Sequence, residues 1–180
     1  MSAITPPVTP DAPPVCLPGR PLRLLQPSPF EDPKTLLHRR YLSRGEGLLL
    51  VGPTGIGKSS FSMQCMLLWA LGQPAFGIAP AQALTSLLIA ENDDGDLAEM
   101  RDGVVRGLGL NQDQSDEATN RVFVINESAQ SGEEFLDMIV APALRAHRPD
   151  LLWIDPALAY LGGDAAAQSD VSAFLRNGLL

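Results

Sequence analysis

Beyond residue 45 the chain alternates two kinds of hydrophobic pattern. Short, unbroken apolar runs occur at Gly47–Val51, at 86–90 (SLLIA), at 121–125 (RVFVI) and at 151–154 (LLWI). Runs of that length without alternation predict strands buried on both faces of a parallel sheet. Between them, Lys58–Leu71 has helical periodicity and is closed by Gly72, a residue suited to ending helices. An acidic turn after Ala90 leads into a helix around Leu97–Leu108. Gln112–Asn120 is polar throughout and predicts a loop. Ser131-Gly-Glu-Glu134 has the spacing in which a serine caps a helix and a glutamate reaches back to it. Phe135, Leu136, Ile139, Ala143 and Leu144 then mark one helix face, with Pro142 kinking or ending it. A loop containing Gly162-Gly163 precedes a last helix near Ser169–Arg176. Strands alternating with helices predict an α/β fold, a mainly parallel sheet flanked by helices.

The start of the chain differs. Residues 1–33 hold ten of the sixteen prolines and no hydrophobic period. Proline fixes φ and removes a donor, so this stretch reads as a flexible leader, 1–33, ahead of a core domain, 34–180. Pro33–Leu42 predicts a short helix with Leu36, Leu37 and Tyr41 at core spacing. The 180 residues suffice for one domain. No run approaches the roughly 18 apolar residues of a membrane span, and the Met1 end lacks signal-peptide character. Cys16 and Cys65 lie far apart with no CxxC, and there are two histidines, so a zinc site or disulfide framework is not expected and the compartment reads as reducing cytoplasm. A net charge of −8 argues against a chain that coats DNA by charge alone.

The candidate chemistry begins where the first apolar run ends. Gly52-Pro53-Thr54-Gly55-Ile56-Gly57-Lys58-Ser59 fits GxxxxGK[ST], between a predicted strand and a predicted helix, which is the context the motif requires. Its glycines let the chain curl so that successive N–H groups point at phosphate oxygens, and the helix N-terminus adds partial positive charge. The loop from Gly52 to Ser60 is therefore expected to bind a nucleoside triphosphate, ATP, with Lys58 on the β and γ phosphates and Ser59 as a hydroxyl ligand to Mg²⁺.

A second metal ligand is expected at Asp155, which ends an apolar strand as a Walker B aspartate does. A turn-forming aspartate before Pro156 is the competing reading. No glutamate follows Asp155. The best candidate to polarise the attacking water is Glu91, at the end of SLLIAE, because the carboxyl ends of parallel strands share one edge of the sheet. A solvated strand-end carboxylate competes with that role. Asn92, Asp93, Asp94 and Asp96 read as helix-capping residues. Phe61, Cys65, Leu68 and Trp69 form a helix face that reads as core, with Cys65 an inert packed thiol, and Trp153 also reads as packing. Arg39 and Arg40 read as a solvated helix face, with contact to nucleic acid or a neighbouring subunit as the alternative.

Taken together, GLLLVGPTGIGKSS, the strand ending in Glu91 followed by ENDDGDLAEM, and PDLLWIDPALAYLGGD resemble the RecA-like ATPases of the RepA helicase type, within the AAA group. The resemblance spans about residues 40–180. It implies a RecA-like P-loop NTPase fold, ATP hydrolysis, Lys58 and Ser59 on phosphate and Mg²⁺, Asp155 on Mg²⁺ and Glu91 on the water. It also implies that Tyr160–Asp164 can face a central channel, although a plain flexible turn is the stronger reading of those residues. It implies as well a homo-oligomeric ring or filament, and work on single-stranded DNA in replication or recombination. It further implies a strand bearing a γ-phosphate sensor, seated between the strands that carry Lys58 and Asp155, and an arginine finger. Neither occurs before Leu180, so the core is expected to be incomplete at its C-terminal end, only marginally stable alone, and dependent on those parts for turnover. The rival is a nucleotide-dependent regulatory or partner-binding module. A small-molecule P-loop kinase is a third reading, weakened by the lack of an Arg-rich lid.

Overall fold

The centre of the molecule is the strand that the apolar pattern marks most strongly. In the computed structural model, which describes residues 19–27, 29, 31–164 and 167–175, Ser86–Ala90 forms β3 and all five of its residues are buried. It follows a small hairpin of β1 (Thr35–Leu37) and β2 (Leu42–Ser43) and the helix α1 (Lys58–Ala70). After it come α2 (Asp94–Leu108), α3 (Gln112–Thr119), β4 (Val122–Asn126), α4 (Gly132–Phe135), α5 (Ala141–His147), β5 (Leu151–Asp155) and α6 (Gln168–Ala173). β3 pairs in parallel with β4 on one side and β5 on the other, giving the order β4-β3-β5. The register aligns Ala90 with both Asn126 and Asp155, so the three carboxyl ends lie level along one edge.

Side chains of β3 alternate between two cores, as the two-residue period of a strand requires. Leu88 and Ala90 pack with Met63, Met66 and Leu67 of α1 and with Leu97 and Val104 of α2. Leu87 and Ile89 pack on the opposite face with Phe135, Val140, Tyr160 and Phe174. A third cluster joins Leu36 and Leu37 of the hairpin to Cys65 and Trp69 of α1. The expected α/β architecture, a parallel sheet with helices on both faces, is the one observed.

Four local expectations are overturned. Pro33–Leu42 is not a helix: Thr35–Leu37 is extended and fully buried, and Arg39 and Arg40 take positive φ (59° and 57°) in the hairpin turn, which no helix permits. Tyr41 is exposed rather than core. Gln112–Asn120 is helical, because Asn111 and Gln114 form a reciprocal capping box and Ala118 is wholly buried. Ser131 starts α4 without a capping bond, since Gly132 at φ 61° turns the chain away from it. The following turn widens to the π form over Leu136–Val140 before Pro142 enters α5, so the proline distorts the helix without ending it.

The largest departure is Gly47–Val51. These residues form no strand, and Leu48 to Val51 are exposed. Among the described residues no strand pairs with this segment. A backbone without ladder partners keeps its N–H and C=O groups in water, and its side chains stay there with them. Of the leader, residues 1–18, 28 and 30 lie outside the described residues, as does Arg176 at the end of the expected last helix; Leu22–Leu24 makes one exposed 3₁₀ turn. Among the described residues no helix is long and apolar enough to cross a membrane.

Candidate functional site

The Gly52–Ser59 segment is an exposed loop running into α1. Gly55 and Gly57 have φ of 80° and 93°, and an added Cβ at either would meet open space, so glycine is required there by backbone conformation and not by crowding. The Lys58 ammonium lies back across the loop, donating to the carbonyls of Gly52 and Pro53 at 2.9 Å each. Below the loop α1 is anchored by burial of Met63, Cys65, Met66, Leu67, Trp69 and Ala70. The indole N–H of Trp69 donates to the Ile78 carbonyl, and the Leu84 N–H to the carbonyl of Trp69. Burial pushes the Cys65 thiol up to about 11, consistent with an inert packed group. The expected core face is therefore observed, with Phe61 and Leu68 at its half-buried margin.

The first turn of α1 carries no acidic side chain, whereas Asp94 and Asp96 occupy that turn in α2 and Asp113 in α3. The positive end of α1 thus has no acid of its own beside a glycine loop. Ser59, in that turn, shares the wall of a small cleft with Asp155, at the end of β5, and with Asn92, just beyond β3. Asp155 is half-buried and level with Ala90. Glu91 follows Ala90 on the same edge and is exposed. The fold therefore brings Ser59 and Asp155 to one cleft, with Lys58 next to Ser59 in the chain but folded back onto its own loop and Glu91 next to Ala90 on the same sheet edge.

Asn92 is a residue that sequence reasoning misassigned. Asp93 alone caps α2, accepting from the Asp96 N–H at 2.9 Å, while Asp94 accepts from Asn126 at 2.6 Å and so ties α2 to the end of β4. Asn92 is left half-buried in the cleft wall. The three-residue Asp93–Asp96 spacing, which fixes one cap and leaves Asn92 outside it, is the signal that separates them.

Two further groups were not anticipated at this edge. Glu127 follows β4; its N–H donates to the Ala90 carbonyl at 2.9 Å, and its carboxylate accepts from the N–H groups of Gln130 and Ala129. Those bonds, Gln130 foremost, hold the carboxyl below the usual glutamate range. Tyr160, at the end of the 3₁₀ turn Ala157–Tyr160, is 1% exposed and stacks on Phe135 at 4.3 Å between ring centroids. Its hydroxyl donates to the Glu127 carbonyl at 2.7 Å. Burial first, then the negative charges of Glu91, Glu127 and Asp155, push that hydroxyl up to about 12, so it remains a donor. Neither reading of Tyr160–Asp164, channel-facing loop or plain flexible turn, covers its first two residues: Tyr160 and Leu161 turn into the core, and only Gly162, Gly163 and Asp164 are exposed. There the backbone passes so close to α4 that a Cβ on Gly162 would lie 2.5 Å from the Gly132 Cα.

No curated protein and no solved structure matches the chain. A family model described as the AAA domain matches residues 12–179. That match covers nearly the whole chain, including the glycine loop, both parallel pairings and the strand-end carboxylates. With a parallel sheet flanked by helices, it establishes that the chain belongs to the AAA domain family, the AAA-type P-loop ATPases.

Proposed function

We propose that the Gly52–Ser60 loop and the carboxylates at the sheet edge bind ATP with Mg²⁺ and hydrolyse it. The observation that carries this reading is the convergence of Ser59 and Asp155 on one cleft, beside a loop held in positive-φ glycine geometry at the N-terminus of α1. A hydroxyl, a carboxylate and a side-chain amide (Asn92) are oxygen donors of the kind Mg²⁺ prefers, so the residues present suit the ion. Held there, Mg²⁺ would supply positive charge against the negative charge that develops during phosphoryl transfer. The ammonium of Lys58 exchanges the carbonyls of Gly52 and Pro53 for phosphate oxygens. Ser59 and Asp155 hold the metal, the aspartate through water. Glu91, exposed beside Asp155, orients the attacking water and takes its proton.

Lys58→Ala is expected to weaken binding of a fluorescent ATP analogue about ten- to a hundredfold, the loss of one charged hydrogen-bonding partner, with an unchanged melt. Equal affinity in the variant would remove the loop from the site. Glu91→Gln is expected to keep that affinity and, in a chain that also carries the sensor strand and arginine finger, to lower phosphate release about a hundredfold or more. Turnover within a few-fold would make Glu91 a structural carboxylate.

The work coupled to hydrolysis follows from the resemblance to RepA-type helicases: movement on single-stranded DNA by a homo-oligomeric ring or filament. The inward turn of Tyr160 and Leu161 favours the second reading, a regulatory ATPase whose nucleotide state alters partner contacts, because those residues are not offered to a nucleic acid. Filter binding of single-stranded DNA with and without ATP separates the two. ATP-dependent retention supports the motor, and no retention in either condition supports the regulatory module.

A further inference from the structure

We propose that Tyr160 is a positioning residue that fixes Asp155 relative to Glu91, an inference that rests on the ATP and Mg²⁺ reading above. The contacts around the edge of the sheet close into a ring. Ala90 is in register with Asp155 across the β3–β5 ladder. The Glu127 N–H donates to the Ala90 carbonyl at 2.9 Å, which ties the end of β4 to the end of β3. The Tyr160 hydroxyl donates to the Glu127 carbonyl at 2.7 Å, and a single 3₁₀ turn returns from Tyr160 to Asp155. Every other link in this ring is backbone. The tyrosine hydroxyl is the one side-chain link.

That link joins the two edge strands of the sheet. β5 pairs with β3 on one side, and among the described residues no strand covers its other side. The end of an edge strand held by one ladder can swing about it. A contact from Tyr160 to the far strand, β4, opposes that swing and holds Asp155 level with Ala90 and Glu91. The ring itself cannot drift, since it is 1% exposed and stacked on Phe135. Packing alone would be served by phenylalanine, because the stack uses only the ring. The hydroxyl is what joins the β5 turn to β4. A site that pairs a metal-holding carboxylate with a water-orienting one depends on their separation, and shifts near 1 Å are costly.

The test measures affinity for a fluorescent ATP analogue with Mg²⁺ and with EDTA, using wild type, Tyr160→Phe, Asp155→Asn and the double variant. Wild type gains affinity on adding Mg²⁺. Tyr160→Phe is expected to cut that gain about three- to tenfold, as the loss of one hydrogen bond allows, while affinity in EDTA stays at the wild-type value. Asp155→Asn removes the gain, and adding Tyr160→Phe to it causes no further loss, because the two changes act through one group. An unchanged gain in Tyr160→Phe overturns the inference. So does an equal loss in EDTA, which would mark a general disturbance of the fold, or full additivity in the double variant. A wild type with no gain from Mg²⁺ is a different failure: it overturns the Mg²⁺ site itself, and the role of Tyr160 with it.

Discussion

Ser86–Ala90 and Gly47–Val51 are five-residue apolar segments, and each leads directly into a loop carrying candidate site residues. In β3 the exposures of Leu87, Leu88, Ile89 and Ala90 are 0, 3, 0 and 1%. Those of Leu48, Leu49, Leu50 and Val51 are 72, 60, 45 and 79%. Apolar character does not separate the two; neighbours do. β3 has a parallel partner on each side, so its backbone groups are paired and its side chains can be dry. Gly47–Val51 has none among the described residues. Burying it unpaired would cost about 1–3 kcal/mol for each stranded N–H or C=O, as much as the roughly 1.5–3 kcal/mol gained by burying each large side chain. A strand is thus a property of a pair, and hydrophobic sequence is only its precondition.

The contrast can be broken most easily from the β3 side. Leu87→Ala is expected to destabilise the fold by about 2–5 kcal/mol in urea unfolding, since the residue is wholly buried between β3 and the Phe135 cluster. A loss under about 1 kcal/mol would mean that the core around β3 collapses freely. The next effect tests how the start of the β3–β5 pair is pinned. Asp150 accepts from the Thr85 N–H and hydroxyl at 3.0 Å and from Arg44 at 2.7 Å. Burial alone would raise its pKa, but the Thr85 N–H, Arg44 and the Thr85 hydroxyl outweigh it and hold the carboxyl below its ordinary value of 3.8. A lowered pKa adds stability that is complete above the ordinary value and is lost as pH falls through the lowered one. Asp150→Asn should therefore cost about 1–3 kcal/mol at neutral pH, and its melting gap from wild type should close below about pH 4. A gap that persists undiminished there would assign the cost to geometry and not to charge. The smallest effect belongs to the unpaired segment: Leu49→Lys should change stability by about 0.5 kcal/mol or less. A loss comparable to that of Leu87→Ala would show that Gly47–Val51 is buried in solution and would erase the contrast.

What was legible in the sequence follows the same division. α1, β3, β5 and the body of α2 were readable because each is bounded by a glycine, an acidic turn or a charged break and satisfies its own period. The hairpin at Thr35–Ser43 was not, since Leu36-Leu37 suits a helix face as well as a doubly buried strand, and nothing local announces positive φ at two arginines. α3 was hidden by its polarity, although Asn111 and Gln114 hold the capping-box spacing that would have revealed it. In the candidate site, Lys58 and Ser59 could be named because a spaced motif fixes their residue types, and Asp155 because it ends an apolar run. The places of Asn92, Glu127 and Tyr160 at this edge were not read, because they arise from which strand ends lie side by side, and spacing along one chain does not record that.

The crossing of Gly162 over Gly132 has a mechanical consequence. Elsewhere in the core, a displaced element can be accommodated by neighbouring side chains that change rotamer. Here the two main chains touch without side chains between them, and a Cβ on Gly162 would stand 2.6 Å from the Gly132 nitrogen. There is no cushion at that point and nothing to rotate. Any displacement of the turn after β5 toward α4 must therefore push the start of α4 as a rigid strut would, without slack.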